Sequence, residues 1–217
     1  MTTDPAAPSV TTIIATHHRP ELLRVAIDGV LDQDYPGHIE VLVVFDQSEP
    51  DHGLALEEGR RSVRVLTNRR SPGLAGSRNT GMEEARGDLV AFCDDDDLWL
   101  PKKLHHQVDA LKSHPDAGVV SCGLEVVYEG TTHVRLPQKE RLTFADLLRD
   151  RVMEAHPSTI MVKRELLGAI GDVDEDLPGS YAEDYEWLLR AARLTGVVSV
   201  GEPLVRILWG ATSYFTG

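Results

Sequence analysis

The chain reads as an α/β protein in a single domain, a mostly parallel central sheet flanked by helices. Two observations predict this class. Apolar, β-branched runs alternate with segments of helical period through the first half. The run 89–93 is apolar throughout, the pattern of a strand buried on both faces. A third observation locates the chemistry. The run 89–93 drives straight into four aspartates, Asp94, Asp95, Asp96 and Asp97, and ligands of open α/β sheets gather at the carboxyl ends of the strands.

Taken in order, residues 9–16 are β-branched and predict the first strand. Pro20 then suits the first turn of a helix. Leu22, Leu23, Ala26, Ile27 and Val30 recur at helical spacing over 21–31. Residues 39–45 form a second apolar strand ending in Asp46. A weaker helix is expected over 51–60 and a third strand over 63–66. The small residues of 68–81 read as a loop that permits close backbone approach, with arginines suited to anions. A helix then runs to about Arg86, with Gly87 as its C-cap. After the acidic strand come a helix over 101–114 and a strand over 118–128. The second half is less regular. It predicts a hairpin or loop over 129–138, a short helix over 143–150 and a strand over 158–162. One or two helical turns follow over 164–169, then an amphipathic helix over 182–194 and two late strands, 197–200 and 203–208. No repeat or linker divides the chain. Residues 1–8 are expected to be a flexible N-terminus and 9–217 one working domain.

Composition narrows the function classes. The net charge of −13 argues against nucleic acid as a partner, because such proteins carry a basic face. Hydrophobic residues make up 41% of the 217, enough for a real core. The two cysteines, Cys93 and Cys122, lie in apolar runs and read as buried thiols. No run is long and apolar enough to span a bilayer, and residues 1–8 lack a signal core. The expected location is the cytoplasm, with peripheral contact at the inner face of the membrane left open.

Four adjacent carboxylates repel one another, and each favours its protonated form unless a positive charge lies among them. A divalent cation is the simplest remedy, and hard oxygen ligands suit Mg2+, Mn2+ or Ca2+. On extended backbone side chains alternate, so Asp94 and Asp96 would share one side and Asp95 and Asp97 the other. The plainer reading is a solvated acidic turn, with Asp97 capping the following helix.

Five stretches in this order resemble the inverting glycosyltransferases of family two, which have the A-type nucleotide-diphospho-sugar fold. They are Ile14-Ala15-Thr16 with Arg19-Pro20; Val43-Val44-Phe45-Asp46; Gly73-Leu74-Ala75-Gly76-Ser77-Arg78-Asn79-Thr80-Gly81; Phe92-Cys93-Asp94-Asp95-Asp96-Asp97-Leu98-Trp99-Leu100-Pro101; and Ala182-Glu183-Asp184-Tyr185-Glu186-Trp187-Leu188-Leu189-Arg190. The resemblance implies a nucleotide-sugar-binding half over 9–101 and an acceptor-binding half over 102–217, with a nucleotide base near Thr16 and Arg19 and Asp46 accepting a hydrogen bond from it. The glycine-rich stretch with Arg78 would pass under ribose and diphosphate. Asp94 and Asp96 would form an Asp-x-Asp motif, Asp96 holding Mn2+ or Mg2+ and Asp94 or Asp95 reaching the ribose. Asp184 would be the general base. Glu183, His156 and Trp209 are candidate acceptor contacts. The donor would be a UDP-sugar and the acceptor a hydroxyl, on a glycan or a lipid carrier.

Each assignment has a plainer rival. Asp46 could cap a helix, Asp184 could simply favour a helix N-terminus, and Arg19 and Arg78 could be ion-pair partners. Trp99, Trp187 and Trp209 could all be packing residues. Relatives often carry an arginine–histidine pattern near the last strand, where Arg206-Ile207-Leu208-Trp209-Gly210 has no histidine. A sugar-1-phosphate nucleotidyltransferase would need a glycine-rich loop after the first strand, and Thr16-His17-His18-Arg19-Pro20 has none. A non-catalytic nucleotide- or glycan-binding module is the remaining alternative.

Overall fold

The computed structural model describes residues 7–149, 151–152, 154–177 and 182–209. The first half is built as β1 (Val10–Thr16), α1 (Pro20–Leu31), β2 (Ile39–Phe45), β3 (Leu56–Glu58), β4 (Arg61–Thr67), α2 (Leu74–Glu84), β5 (Leu89–Asp94) and β6 (Asp97–Trp99). The second half continues with α3 (Lys103–Ser113), β7 (Ala117–Tyr128), β8 (Thr131–Arg135), β9 (Arg141–Leu142), α4 (Phe144–Arg149), β10 (Met161–Lys163), α5 (Leu167–Ile170), α6 (Glu183–Leu194) and β11 (Gly196–Trp209).

One sheet joins both halves in the order β3-β4-β2-β1-β5-β10-β7-β11-β6, with β8 on β7 and β9 on β11. Its long ladders are parallel: β1 with β2 and β5, β2 with β4, and β7 with β11. The short ones, such as β10 between β5 and β7, are antiparallel. Helix α1 buries Leu23, Ala26, Ile27 and Val30 at the predicted spacing. With α3 it covers one face of the sheet. Helices α2, α5 and α6 cover the other, where Phe92 meets Trp187 edge to face.

Several expectations are corrected. Residues 51–60 hold only a single 3-10 turn, His52–Leu54, and then β3, which pairs back on β4. The glycine-rich stretch is mostly helix: α2 begins at Leu74. Its glycines serve packing, since a Cβ on Gly81 would collide with Ile13 of β1 and one on Gly76 with the Ser71 carbonyl. Gly87 is not a C-cap, because α2 ends at Glu84 and Ala85 caps it. The two late strands are one, β11, with irregularities near Pro203 that keep it paired to β7. At the N-terminus, residues 1–6 lie outside the described residues, but Ala7 packs on the core and Pro8 accepts the Tyr35 hydroxyl at 2.6 Å. Cys93 and Cys122 are free and buried.

The core also contains an unexpected charge. Lys103 is fully buried, its Nζ 3.6 Å above the Trp99 ring and donating to Gln107 Oε1 at 2.8 Å. Burial pushes its pKa down to about 8. A lysine with a depressed folded pKa destabilises the fold while both states are protonated. That penalty fades as pH rises from about 8 towards the unfolded value of 10.5. Wild-type stability relative to Lys103→Met should therefore rise by roughly 2 kcal/mol between pH 7.5 and 9.5. Urea denaturation at both pH values measures it, and a constant difference would contradict a buried ammonium.

Candidate active site

Parallel register brings three strand ends together. Thr16 lies beside Phe45, and Ala15 beside Asp94. Thr16, Asp46 and the aspartate quartet therefore share the carboxyl edge of the sheet. Asp46 is buried and held from three sides: Asn68 Nδ2 donates to one oxygen at 2.8 Å, and Gln47 Nε2 and the Gly73 amide donate to the other at 3.1 and 3.0 Å. Gly73 is the N-cap of α2. Asp46 thus anchors a helix end, as the plainer reading allowed, although the helix is not the next one in the chain.

The quartet is not a continuous strand. β5 ends at Asp94, Asp95 and Asp96 form a turn, and Asp97 opens β6. The expected alternation is therefore wrong, because a turn replaces the extended backbone it assumed. The carboxylates divide into two groups. Asp95 accepts from Thr16 Oγ1 at 2.8 Å and from Arg19 at 3.2 Å, while Asp96 takes Arg19 at 2.8 Å. Asp94 and Asp97 turn towards His156, with ligand atoms of all three within 4.8 Å of one another. Asp97 does not cap α3. Its carboxyl accepts the Ser158 hydroxyl at 2.5 Å, and Ser158 Oγ also accepts the Asp94 amide at 2.9 Å.

Crowding and burial set the charges. Burial pushes Asp95 up to about 6, although Thr16 and Arg19 favour its charged form. Burial and the neighbouring Asp94 raise Asp96. Burial drives Asp97 well above the usual carboxylate range, with Asp94 adding to it. Asp94 is the exception. Burial opposes its charge, but the Arg78 guanidinium, which donates to it, holds its pKa low. Burial also lowers His156, which keeps the imidazole neutral. Its Nδ1 accepts from the Ser158 amide at 3.3 Å, which leaves the proton on Nε2, 3.8 Å from Asp94.

Arg78 projects from α2 into the space between β5 and α6. It donates to Asp94 at 3.0 Å and to Glu183 at 2.8 Å, and both Arg78 and Glu183 are about 95% buried. Asp184 follows Glu183 in the first turn of α6 and is half-buried. Its Oδ1 accepts the Tyr185 amide at 2.8 Å. Its charge helps to raise the pKa of Arg78 and opposes the burial that lowers His156. Asp184 borders a small cavity of about 20 Å³ together with Arg78, Phe92, Pro157 and Trp187. A cavity of about 350 Å³ opens near Asp88 and Lys163 at the opposite end of β5 and gathers none of these residues.

Trp99 and Trp187 are packing residues, whereas Trp209 is 40% exposed. It pairs in register with Tyr128, two residues beyond the Ile207 that faces Asp97. The sequence reading missed Ser158, Asn68 and Glu175. Glu175 takes Arg70, Asn79 and the Ser71 amide, fastening the segment before α6 to the start of α2. Nothing local in the sequence marks their roles here, because the aspartates and arginine they hold lie tens of residues away.

The donor set suits a divalent cation. It offers carboxylate oxygens and one neutral imidazole, with Asp96 29% exposed at the mouth and Asp94 kept ionised.

A mixed α/β sheet with an acidic turn at its carboxyl edge and a carboxylate-bearing helix opposite defines an A-type glycosyltransferase fold. The sequence model of Glycosyl transferase family 2 matches residues 11–171, and the chain belongs to that family. It is similar to an uncharacterised glycosyltransferase of Rickettsia typhi, 27% identical over 210 residues, covering 92% of this chain and 64% of the relative. It also resembles WfgD of Escherichia coli, a UDP-Glc:alpha-D-GlcNAc-diphosphoundecaprenol beta-1,3-glucosyltransferase. That match is 26% identical and covers 82% of this chain and 68% of WfgD. The chain thus spans about two thirds of these relatives. Among solved structures, S. aureus TarS in complex with UDP-GlcNAc matches with a TM-score of 0.74 at 20% identity, over 95% of this chain and 60% of that one. The mannosyltransferase PcManGT of Pyrobaculum calidifontis, in complex with GDP-Man and Mn2+, matches with a TM-score of 0.64 at 23% identity, over 98% and 59%. Among the described residues, no helix is long and apolar enough to cross a membrane.

Proposed function

We propose that the protein transfers a sugar from a UDP-sugar to a hydroxyl of a glycan or lipid-linked glycan, with inversion at the anomeric carbon. One observation carries this reading: the ionised Asp94 of the acidic turn and the Asp184 helix are brought to one edge of the sheet by a shared arginine. UDP-GlcNAc in a TarS structure of the same fold, and the lipid diphosphate in the name of WfgD, support the substrate classes.

In this mechanism Thr16, Arg19 and Asp46 border the nucleotide, and Arg78, Asp94 and Asp95 shape the donor side. Asp184 accepts the proton of the acceptor hydroxyl as its oxygen bonds to C1. The C1–O bond to the diphosphate breaks, and its electron pair leaves with the nucleotide. A single base with direct displacement gives inversion, because no second carboxylate is needed as a nucleophile. Mg2+ or Mn2+, held by Asp96 and Asp94, would neutralise the charge developing on the leaving diphosphate. His156 and Trp209 flank the acceptor side, Trp209 offering a face on which a sugar can stack.

The test is a set of nucleotides and nucleotide-sugars, each with Mn2+, followed by melting temperature and by release of nucleoside diphosphate. UDP with Mn2+ should raise the melting temperature, and one UDP-sugar should be hydrolysed slowly without acceptor. Stabilisation with no turnover, even when candidate acceptors are supplied, would indicate a binding module instead.

A further inference from the structure

We propose that Arg78 and Glu183 form a buried strut that positions the catalytic helix α6 against the acidic strand β5. The inference rests on Asp184 being the base and explains what holds that base in place. Three observations carry it. The Arg78 guanidinium reaches Asp94 with one nitrogen and Glu183 with the other, at 3.0 and 2.8 Å, so one side chain of α2 spans β5 and α6. The Arg78 and Glu183 side chains are each only 6% exposed, so the pair is little screened by water.

The third observation is the start of α6. Its N-cap is Ala182, which makes no side-chain cap and lies in the left-handed region at φ 67°. A non-glycine residue there is strained, and a helix end without a cap frays. Yet Asp184 is the second residue of this helix. Within the turn Asp184 accepts the Tyr185 amide at 2.8 Å, and a contact from outside the helix adds to that hold. The Arg78–Glu183 bond acts one residue before Asp184 and enters from a different element. Glu183 is favoured at this helix end by the dipole, which aligns the anchor further.

The strut makes Arg78 and Glu183 positioning residues. Arg78 sets the distance between the ionised Asp94 of the donor side and the base, and Glu183 transmits it to α6. A planar fork that can serve two carboxylates is needed, which a lysine cannot supply.

The experiment uses Glu183→Gln, Arg78→Gln, Arg78→Lys and the double Gln variant of the full chain, without reference to transfer in its first arm. Amide hydrogen exchange of residues 183–187 should speed at least tenfold in Glu183→Gln and Arg78→Gln, while exchange in α1 and β2 stays as in wild type. Arg78→Lys should restore protection only in part. In the second arm, kcat should fall at least tenfold in Glu183→Gln with donor KM within threefold. The double variant should be no more than twofold worse than the poorer single one, because both remove the same contact. Unchanged exchange at α6, or losses in kcat that multiply in the double variant, would overturn the strut. Should Arg78→Gln not fold, Glu183→Gln alone decides. If wild type turns over no donor, the proposed function fails, while the exchange arm still tests the strut.

Discussion

Asp184→Asn should lose ~10²–10⁴-fold in kcat for transfer, the usual contribution of a positioned general base. The amide is nearly isosteric with the carboxylate and still offers an oxygen to the Tyr185 amide, the bond that Asp184 makes at 2.8 Å. The first turn of α6 should therefore keep its shape. What the variant loses is the ability to take a proton from the incoming hydroxyl. Affinity for UDP with Mn2+ should stay within about threefold of wild type, since that binding does not require the base. Steady-state kinetics together with calorimetry separate the two effects. A variant that transferred sugar at near wild-type rate would remove Asp184 from the mechanism, and a parallel collapse of nucleotide affinity would point to a donor-site role.

The second large effect is expected at the acidic turn. Asp96→Ala should weaken binding of UDP with Mn2+ on the order of 100-fold, in line with the loss of metal-site groups elsewhere. The same change should not lower the melting temperature without ligand. Asp96 is one of four crowded carboxylates, and Asp94 works against its ionisation. Removing it relieves repulsion, while Arg19 retains its contact with Asp95. Equal calorimetric affinity of wild type and variant for UDP–Mn2+ would move the metal away from Asp96. The group of Asp94, Asp97 and His156 would then be the place to look.

Much of the fold was legible because burial leaves a mark in the sequence. Residues 41–45 and 89–93 are apolar without interruption, and both became strands covered on two faces. The spacing of Leu23, Ala26, Ile27 and Val30 gave α1 its buried side. The failures share a cause. Residues 51–60 and 68–81 carry weak or conflicting periodicity, and packing decided them. One became a hairpin edge on β4, the other a helix close enough to β1 that only glycine fits at 81.

Within the site, the residue types could be read and their partners could not. The sequence by itself determined that a strand ends in four carboxylates, that a helix starts with Glu183 and Asp184, and that a small-residue segment carries Arg78. Those features are local: hydrophobic runs, helix-end charge preferences and side-chain size. Only the tertiary structure decided that the quartet breaks at a turn, that Asp95 and Asp96 go to Arg19 while Asp94 and Asp97 go to His156 and Ser158, and that Arg78 joins two carboxylates 89 positions apart (183 minus 94). Which charge neutralises which depends on distance and burial, and both arise only when strands far apart in sequence are laid side by side.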